Sequence, residues 1–280
     1  MSRPAPAATR ALSILDFLAT RPTELFTLSE IAQHLDLNLA SAHAVLNVMV
    51  DAGYLERHPS HKTYRLGPSV IAVGNAALVG HPVIQVARAE MDQLAGELDL
   101  ECLAAAPIGD ELVIVARAGT PRWNSPLVHV GQRLPLVPPL GVMFVAWSGD
   151  DRIQQWLSRA RPFESRGHAT RYRAILESAR VLGYSVGFHV DGRQVAVAPV
   201  PGDPTALDLD PTQRYPVTYI AASVFDQHRR VALVINLDGF PEPLSPEEIR
   251  ALGRRLRDTA AAITQRAHGS SPSANADLNS

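Results

Sequence analysis

Residues 27–66 constrain the fold more than any other stretch of this chain. They read TLSEIAQHLDLNLASAHAVLNVMVDAGYLERHPSHKTYRL. Thr27 and Glu30 have the spacing of a capping box, which predicts a short helix from residue 28. After a turn at 36–38, Asn38 can cap a second helix over 39–52, and the glycine that follows can end it. Two helices joined by so short a turn are typical of a helix-turn-helix.

A β-hairpin is predicted directly after that glycine. Its strands cover residues 54–57 and 62–66, and the turn between them contains Pro59. A hairpin in this position is typical of the wing of a winged helix-turn-helix.

A support helix is predicted upstream of these elements. Thr9 can cap it, and the helix runs to about Thr20 before a proline ends it. Residues 1–8, which are rich in proline and alanine, are predicted to be a disordered arm. The order of the elements therefore predicts a winged helix-turn-helix domain over residues 9–66.

The second helix of the pair presents small and polar side chains near its start, and basic side chains fall on the hairpin. Recognition helices reach base edges of the major groove from that position. Ser41, His43 and Asn47 are predicted to read bases, and the basic hairpin residues to hold phosphate. A solvated helix face is the alternative interpretation. The predicted DNA contacts are Thr27, Ser41, His43, Ala44, Asn47, Arg57, Lys62 and Arg65.

The charge of this domain is balanced. The first 66 residues carry six basic and six acidic side chains. DNA-binding domains usually carry a basic excess, so we expect modest binding that weakens steeply with salt. A protein-interaction module that uses the winged helix as a dimerisation surface is therefore an alternative.

A nearly uncharged linker follows at residues 67–81 and is predicted to be helical. An apolar helix between two domains has to bury its surface, and its simplest partner is the same helix of a second subunit. The pairing would give a homodimer, or a dimer of dimers, whose two heads match two-fold DNA half-sites. Packing of the helix on its own domain is the alternative.

From residue 101 the pattern changes to strands. Gly109-Asp110, Asp191-Gly192 and residues 226–228 each separate two strand-like runs, which predicts three hairpins. Hairpins separated by helices predict an antiparallel sheet with packed helices, an α+β domain over residues 82–268. Residues 269–280 are predicted to be a disordered tail. The predicted helices of this part lie at 83–98, 140–148, 150–160, 171–182 and 246–266.

Short motifs in both halves carry a family resemblance. They are RALSILDFL, LSEIA, MVDAGYLER and YRLGPSV in the first half, and GQRLPL, LGY, VAVAP and AASV in the second. Over about residues 9–266 the chain resembles the IclR family of bacterial transcription regulators. The resemblance implies a winged helix joined by a helix to a GAF-like effector-binding domain. It also implies a dimer or tetramer, with double-stranded operator DNA and a small organic effector as partners.

The resemblance also implies an effector pocket. Members that bind small carboxylates use a cysteine, two alternate serines and an acidic residue, which are matched here to Val195, Ser223, Phe225 and Asp191. The exchange of cysteine and serine for valine and phenylalanine predicts a ligand larger and more apolar than a simple carboxylate. Further predicted liners, each of which could equally be plain core, are Trp123, Met143, Phe144 and Tyr219.

Residues 183–187 match the GxSxG pattern of a hydrolase nucleophile, centred on Ser185. Asp226 and His228 follow in the order of a hydrolase triad. That motif must turn from a strand into a helix, whereas here a predicted helix precedes it and a strand follows. A serine hydrolase stays an alternative, and we predict a protein that is not an enzyme.

No cofactor and no metal site are predicted. His58 and His61 bracket a proline turn without further ligands at a suitable spacing. Cys102 is the one cysteine, which excludes an intramolecular disulfide. The apolar runs are far shorter than the roughly 18 residues of a membrane span, and no secretion signal is recognisable, so a cytoplasmic protein is predicted.

Overall fold

The structure is a computed structural model that describes residues 5–122, 128–159, 168–188 and 207–268. The chain divides into two compact units. The first reaches to His81 and also includes His129–Gln132, and the second begins at Pro82. Helices with a small winged sheet in the first unit and a large antiparallel sheet in the second confirm the predicted α+β class.

The first unit has the element order of a winged helix-turn-helix. Its elements are α1 (Pro6–Ala19), β1 (Phe26–Thr27), α2 (Leu28–His34), α3 (Leu39–Asp51), β2 (Leu55–Arg57), β3 (Thr63–Leu66) and α4 (Pro68–Gly80). The three strands form one antiparallel sheet in the order β1-β3-β2. Strand β1 was not predicted, because two residues carry no periodic signal. The core of the unit is built from Ile14, Ile31, Leu46, Leu55 and Tyr64.

Helix α1 begins earlier than predicted. Pro6 opens it, since proline lacks the N–H that a first turn leaves unused and its φ suits a helix. The hydroxyl of Thr9 donates to the Ala5 carbonyl (3.3 Å) inside the helix and does not cap it. The prediction of a disordered arm is therefore wrong for residues 6–8.

The two predicted caps of the helix-turn-helix are confirmed. The Thr27 N–H donates to Glu30 Oε2 (2.7 Å), and the Glu30 N–H donates to Thr27 Oγ1 (3.4 Å). Asn38 Oδ1 accepts from the N–H groups of Ala40 (2.9 Å) and Ser41 (3.3 Å). These bonds satisfy donors that a helix start leaves without partners, so they fix where α2 and α3 begin.

Helix α4 covers the predicted linker, and none of its residues is buried. Ile71 and Val79 are 66% and 77% exposed. Among the described residues, no single helix is long and apolar enough to cross a membrane. Only α4 and the helix that follows it meet that criterion together, across the break at His81.

The second unit is built on a six-stranded antiparallel sheet in the order β6-β5-β4-β9-β8-β7. The predicted strand at 193–200 lies outside the described residues. The elements are α5 (Pro82–Leu98), β4 (Glu101–Ile108), β5 (Glu111–Ala118), β6 (Arg133–Pro135), α6 (Val142–Val145), α7 (Asp150–Leu157), α8 (His168–Leu182), β7 (Ser185–Phe188), β8 (Val217–Phe225), β9 (Val231–Asp238) and α9 (Pro246–Arg266).

Helix α6 is shorter than the helix predicted over 140–148. Gly141 precedes it with φ +90°, a left-handed conformation that stops the helix from starting earlier. The following helices also differ from prediction in their bounds, since α7 ends at Leu157 and α8 already begins at His168.

The large sheet has a helical layer on each face. Ile220 and Leu237 face α5 and α9, where they pack with Met91 and Ile263. Alternate residues such as Tyr219 face the opposite side, toward the layer of α6, α7 and α8. Because side chains alternate along a strand, the two cores are separate, and the cavity described below belongs to the second.

Candidate nucleic-acid interface and ligand cavity

Helix α3 brings the predicted base readers onto one face. His43, Ala44 and Asn47 are exposed, and Ser41 is half-buried. His43 Nε2 and Asn47 Nδ2 lie 3.4 Å apart, one helical turn from each other. The opposite face of α3 is buried in the core, so this small, uncharged surface is what the helix offers to a partner.

The wing, residues 55–66, carries the predicted phosphate contacts. Arg65 is held by Glu56, with Nη2 and Oε2 2.6 Å apart, and both side chains are largely exposed. The Arg57 guanidinium lies 5.8 Å from the centre of the Tyr64 ring. Lys62 is in the left-handed region, with φ 53°, at the turn between the strands. An exposed ion pair is worth only about 0.2–1 kcal/mol, so DNA phosphate can compete for Arg65.

Thr27 has a structural role that differs from the predicted DNA contact. Its hydroxyl donates to Glu30 Oε2 (2.8 Å) and accepts from the Glu30 N–H. The single donor of this hydroxyl is therefore used within the capping box, and phosphate, which only accepts, would have to compete with Glu30 for it.

The second unit contains a cavity of about 100 Å³ between the sheet and α6. Most of its lining is apolar. The principal apolar side chains are Leu103, Leu112, Ile114, Met143, Phe144 and Val234. The volume is below that of the roughly 150 Å³ apolar cavity known to accept benzene, so a compact ligand fits best.

Polar side chains occupy one region of the cavity wall. They include Ser185, Tyr219, Asn236 and Asp238. Ser185 Oγ, Asn236 Oδ1 and Asp238 Oδ2 are buried and have no hydrogen-bond partner among the described residues. An unsatisfied buried polar atom costs about 1–3 kcal/mol, so atoms left in this state are candidates for binding a ligand or water.

Charge is also concentrated near this wall. Glu101 and Arg117 form a buried ion pair. Asp238 on β9 lies directly opposite Glu101 on β4 in the strand register. Burial raises the pKa of Asp238 well above its ordinary value, and the nearby Glu101 carboxylate raises it further, while Arg117 opposes the shift. Burial together with Asp238 raises the pKa of the Tyr219 phenol. The cavity wall therefore favours the neutral form of both groups.

Comparisons with known proteins match both parts of this geometry. The family model of the IclR helix-turn-helix domain matches residues 7–59. The Pca regulon regulatory protein of Pseudomonas putida is 27% identical over 153 residues, which is 54% of this chain and 52% of that protein, about half of each. The glycerol operon regulatory protein of Streptomyces griseus is 25% identical over 95% of this chain and 97% of its own length.

Solved structures share the fold over nearly the whole chain. An IclR transcriptional regulator from Alicyclobacillus acidocaldarius superposes with a TM-score of 0.71 at 21% identity and covers 95% of this chain and 100% of its own. An IclR homologue from Microbacterium hydrocarbonoxydans in complex with 4-hydroxybenzoate has a TM-score of 0.66 at 18% identity, covering 94% and 99%.

Residues 7–59 match the IclR helix-turn-helix domain, and over most of its length the chain is similar in fold to IclR transcriptional regulators. The stretch that matches the helix-turn-helix model lies entirely in the first unit.

The described cavity wall contains some of the predicted liners and lacks others. Met143, Phe144 and Tyr219 line it, whereas Trp123, Asp191 and Val195 lie outside the described residues. Ser223 and Phe225 are not among the described residues that line it, so the cavity does not support their assignment as liners.

Both excluded residues are engaged beyond the cavity. The Ser223 hydroxyl donates to the Met143 carbonyl (2.7 Å) and accepts from Trp147 Nε1 (3.2 Å). The Phe225 ring packs edge-on against Trp147, with ring centres 5.4 Å apart. Under the cover of α6, these contacts leave neither side chain free for a ligand.

The prediction missed four polar residues of the cavity, which are Ser185, Thr218, Asn236 and Asp238. A signal for two of them exists in the sequence VALVINLD, where polar residues two apart interrupt an otherwise apolar strand. A period of two places Asn236 and Asp238 on one face of β9. The family resemblance instead predicts the alternate pair at Ser223 and Phe225, on the neighbouring strand β8.

The features that could indicate an enzyme are not assembled. Ser185 pairs with Ala221 in the sheet, while Asp226 caps the turn after β8 by accepting from the His228 N–H (2.7 Å). From Ala221 to the end of β8 is about 13 Å along the strand, too far for a hydrogen-bonded triad. Among the described residues, no group of three or more metal-binding side chains could hold a metal ion.

Proposed function

We propose that this regulator binds operator DNA as a homodimer and that a small organic molecule in the cavity controls this binding. The observation that carries the proposal is the cavity itself. It leaves three buried polar atoms without partners among the described residues, in a chain that also carries a winged helix. A cytoplasmic location is part of the proposal.

The DNA contacts are proposed to come from two surfaces. The exposed face of α3 offers His43 and Asn47 to base edges, and the wing offers Lys62 and Arg65 to phosphate. Because the α3 face has no charged arginine or lysine, a single head would bind weakly. Two heads on one molecule raise the affinity through effective concentration.

Dimerisation through α4 would supply the second head. None of the α4 residues is buried, and Ile71, Val73 and Val79 expose more than half of their surface. Exposed apolar surface of this kind is stabilised when a partner covers it. The same helix of a second copy is the simplest partner that also respects two-fold DNA sites.

Control by a ligand requires that it bind one arrangement of the protein better than another. A regulator of similar fold has been solved in complex with 4-hydroxybenzoate, which supports a small organic molecule as the effector class. The sequence predicts an effector larger and more apolar than a simple carboxylate, and the cavity volume of about 100 Å³ limits it to a compact molecule.

Fluorescence anisotropy with the DNA upstream of the gene tests the interface. We expect the double variant His43→Ala, Asn47→Ala to weaken binding about tenfold or more, since each base contact is worth about 1–3 kcal/mol. Gln265→Ala, an exposed change on α9, is the matched control and should bind like the wild type. Equal affinity of all three proteins would contradict the α3 assignment.

Analytical ultracentrifugation tests the dimer. Ile71→Glu places a charge on α4 and should shift the protein toward monomer at micromolar concentration. Val181→Glu changes an equally exposed valine on α8, which is 63% exposed, and should leave the association unchanged. Dimers of unaltered stability in Ile71→Glu would exclude α4 as the dimer contact.

A further inference from the structure

Polar groups converge at one end of the cavity because of the strand register. Across β7, β8 and β9, Ser185 lies opposite Ala221, which lies opposite Asn236. In the next row Tyr219 lies opposite Asp238. Residues directly opposite each other in antiparallel strands point to the same face. The side chains of these two rows therefore share the face of the sheet that the cavity covers.

The free atoms at this end are mostly hydrogen-bond acceptors. Asp238 Oδ2 and Asn236 Oδ1 have no partner among the described residues, and neither has the hydroxyl of Ser185. Asp238 and Ser185 are only 2% and 4% exposed, so bulk water does not satisfy them. Asn236 Oδ1 only accepts, and the Ser185 hydroxyl and a neutral Asp238 carboxyl group can each accept as well, so a ligand group that donates hydrogen bonds matches all three.

The described wall of the cavity offers no cation to an acidic ligand. Among its described lining residues, the cavity has no lysine, arginine or histidine. The nearby Arg117 guanidinium is engaged with Glu101 and donates from Nη1 to the Val128 carbonyl (2.9 Å). A carboxylate would therefore lose its hydration near the Glu101 carboxylate, without a free countercharge among the described residues, which is unfavourable.

We propose that the cavity binds a compact molecule with an apolar body and a hydrogen-bond-donating end, a hydroxyl or an amine, and that it rejects the matching carboxylate. The proposal rests on the proposed function, in which this cavity is the effector site. The apolar body lies against Met143, Phe144 and Ile114, and the donor end bonds to Asp238 and Asn236.

Isothermal titration calorimetry with matched probes tests the ligand class. The probes are isobutanol, isobutylamine and isobutyrate, and the larger set of benzyl alcohol, benzylamine and benzoate. We expect saturable binding of an alcohol or amine that is about tenfold or more tighter than that of the carboxylate with the same body. Within each set, the tighter binder of the alcohol and the amine then shows which donor group the cavity prefers. A carboxylate that binds as tightly as its partners, or no saturable binding of any probe, overturns the proposal.

Substitutions at the polar end assign the contact. Asp238→Asn keeps the size of the side chain and should weaken amine binding about tenfold. The ratio of the amine affinity to the carboxylate affinity should therefore fall. Glu242→Gln, an exposed change in the loop before α9, is the matched control. If circular dichroism shows that Asp238→Asn does not fold, Ser185→Ala serves as the second variant. It should weaken the binding of both the alcohol and the amine probes. Unchanged selectivity in the folded variant overturns the assignment.

The DNA anisotropy assay separates this inference from the proposed function. If a carboxylate binds best and releases DNA, ligand control stands and the ligand class is wrong. If the donors bind selectively but no probe alters DNA binding, the ligand class stands and ligand control through this cavity is wrong.

Discussion

The ring of Tyr219 lies over Gly187, its partner across β7 and β8. A β-carbon at Gly187 would overlap the ring, so the glycine provides the space that the ring occupies. In this position Tyr219 forms part of the cavity wall beside Asp238. A backbone position without a side chain thus helps to shape a site that is lined by other residues.

Gly187→Ala is expected to displace the Tyr219 ring and to disturb the cavity. Overpacking of a buried site should lower the free energy of unfolding by about 1–3 kcal/mol in urea denaturation, and probe binding should weaken. Gly96→Ala is the control, since nothing lies within 4 Å of a β-carbon added there on α5. It should leave stability unchanged or raise it by about 0.5–1 kcal/mol. Equal stability of both variants would contradict the contact.

Ser223→Ala tests whether Ser223 holds the structure together rather than a ligand. The change removes the partner of the Met143 carbonyl and of Trp147 Nε1, so the free energy of unfolding should fall by about 1–3 kcal/mol. Probe binding measured by calorimetry should stay within about twofold of the wild type, a difference below 0.5 kcal/mol. Ser158→Ala changes an exposed serine at the end of α7 and should change neither. If Ser223→Ala lost probe binding but kept its free energy of unfolding, Ser223 would be a ligand contact.

Glu56→Gln should raise the affinity for DNA, because it releases Arg65 from its ion pair and removes a negative charge from the wing. Lys62→Ala should instead make the fall of log affinity with log salt concentration less steep, by about one unit of slope. Both are measured by anisotropy over a series of salt concentrations. A wing that does not contact phosphate would leave both quantities as in the wild type.

Thr27→Ala should cost about 1 kcal/mol of stability, because the capping box at the start of α2 loses the hydroxyl. Thr9→Ala is a matched control, since its exposed hydroxyl bonds only within α1. The free energies of unfolding of the two variants can be compared with that of the wild type in urea. Equal losses would mean that the cap at Thr27 adds nothing.

Asp238 should make stability fall as the pH rises. Burial and Glu101 raise its pKa in the folded state, so the folded protein binds this proton more tightly than the unfolded chain. Its contribution is fully present below the ordinary aspartate pKa of about 3.9 and is lost as the pH rises through the raised value. In urea denaturation across this range, Asp238→Asn should show a weaker decline than the wild type, and Glu242→Gln should follow the wild type. Parallel curves for all three proteins would contradict the shift.

Local interactions made much of the first unit predictable. The capping box at Thr27, the Asn38 cap and the hairpin after Gly53 each depend on residues within a few positions of one another. The same locality explains the error at α1, where Pro6 and Thr9 were both suitable starts and sequence alone offered no way to choose. Capping preferences state which residues can start a helix, not which of two candidates does.

The sequence by itself determined the order of most helices and strands, the α+β class and the uncharged face of α3; the short strands β1 and β6 gave no sequence signal. Only the tertiary structure decided which polar residues share a cavity. Asn236 and Ser185 lie on strands with β8 between them, 51 residues apart by their numbers, and register alone brings them to one face. Register depends on pairing between distant strands and on the α6 layer above them, so Ser223 became a structural contact and Asp238 a candidate ligand contact.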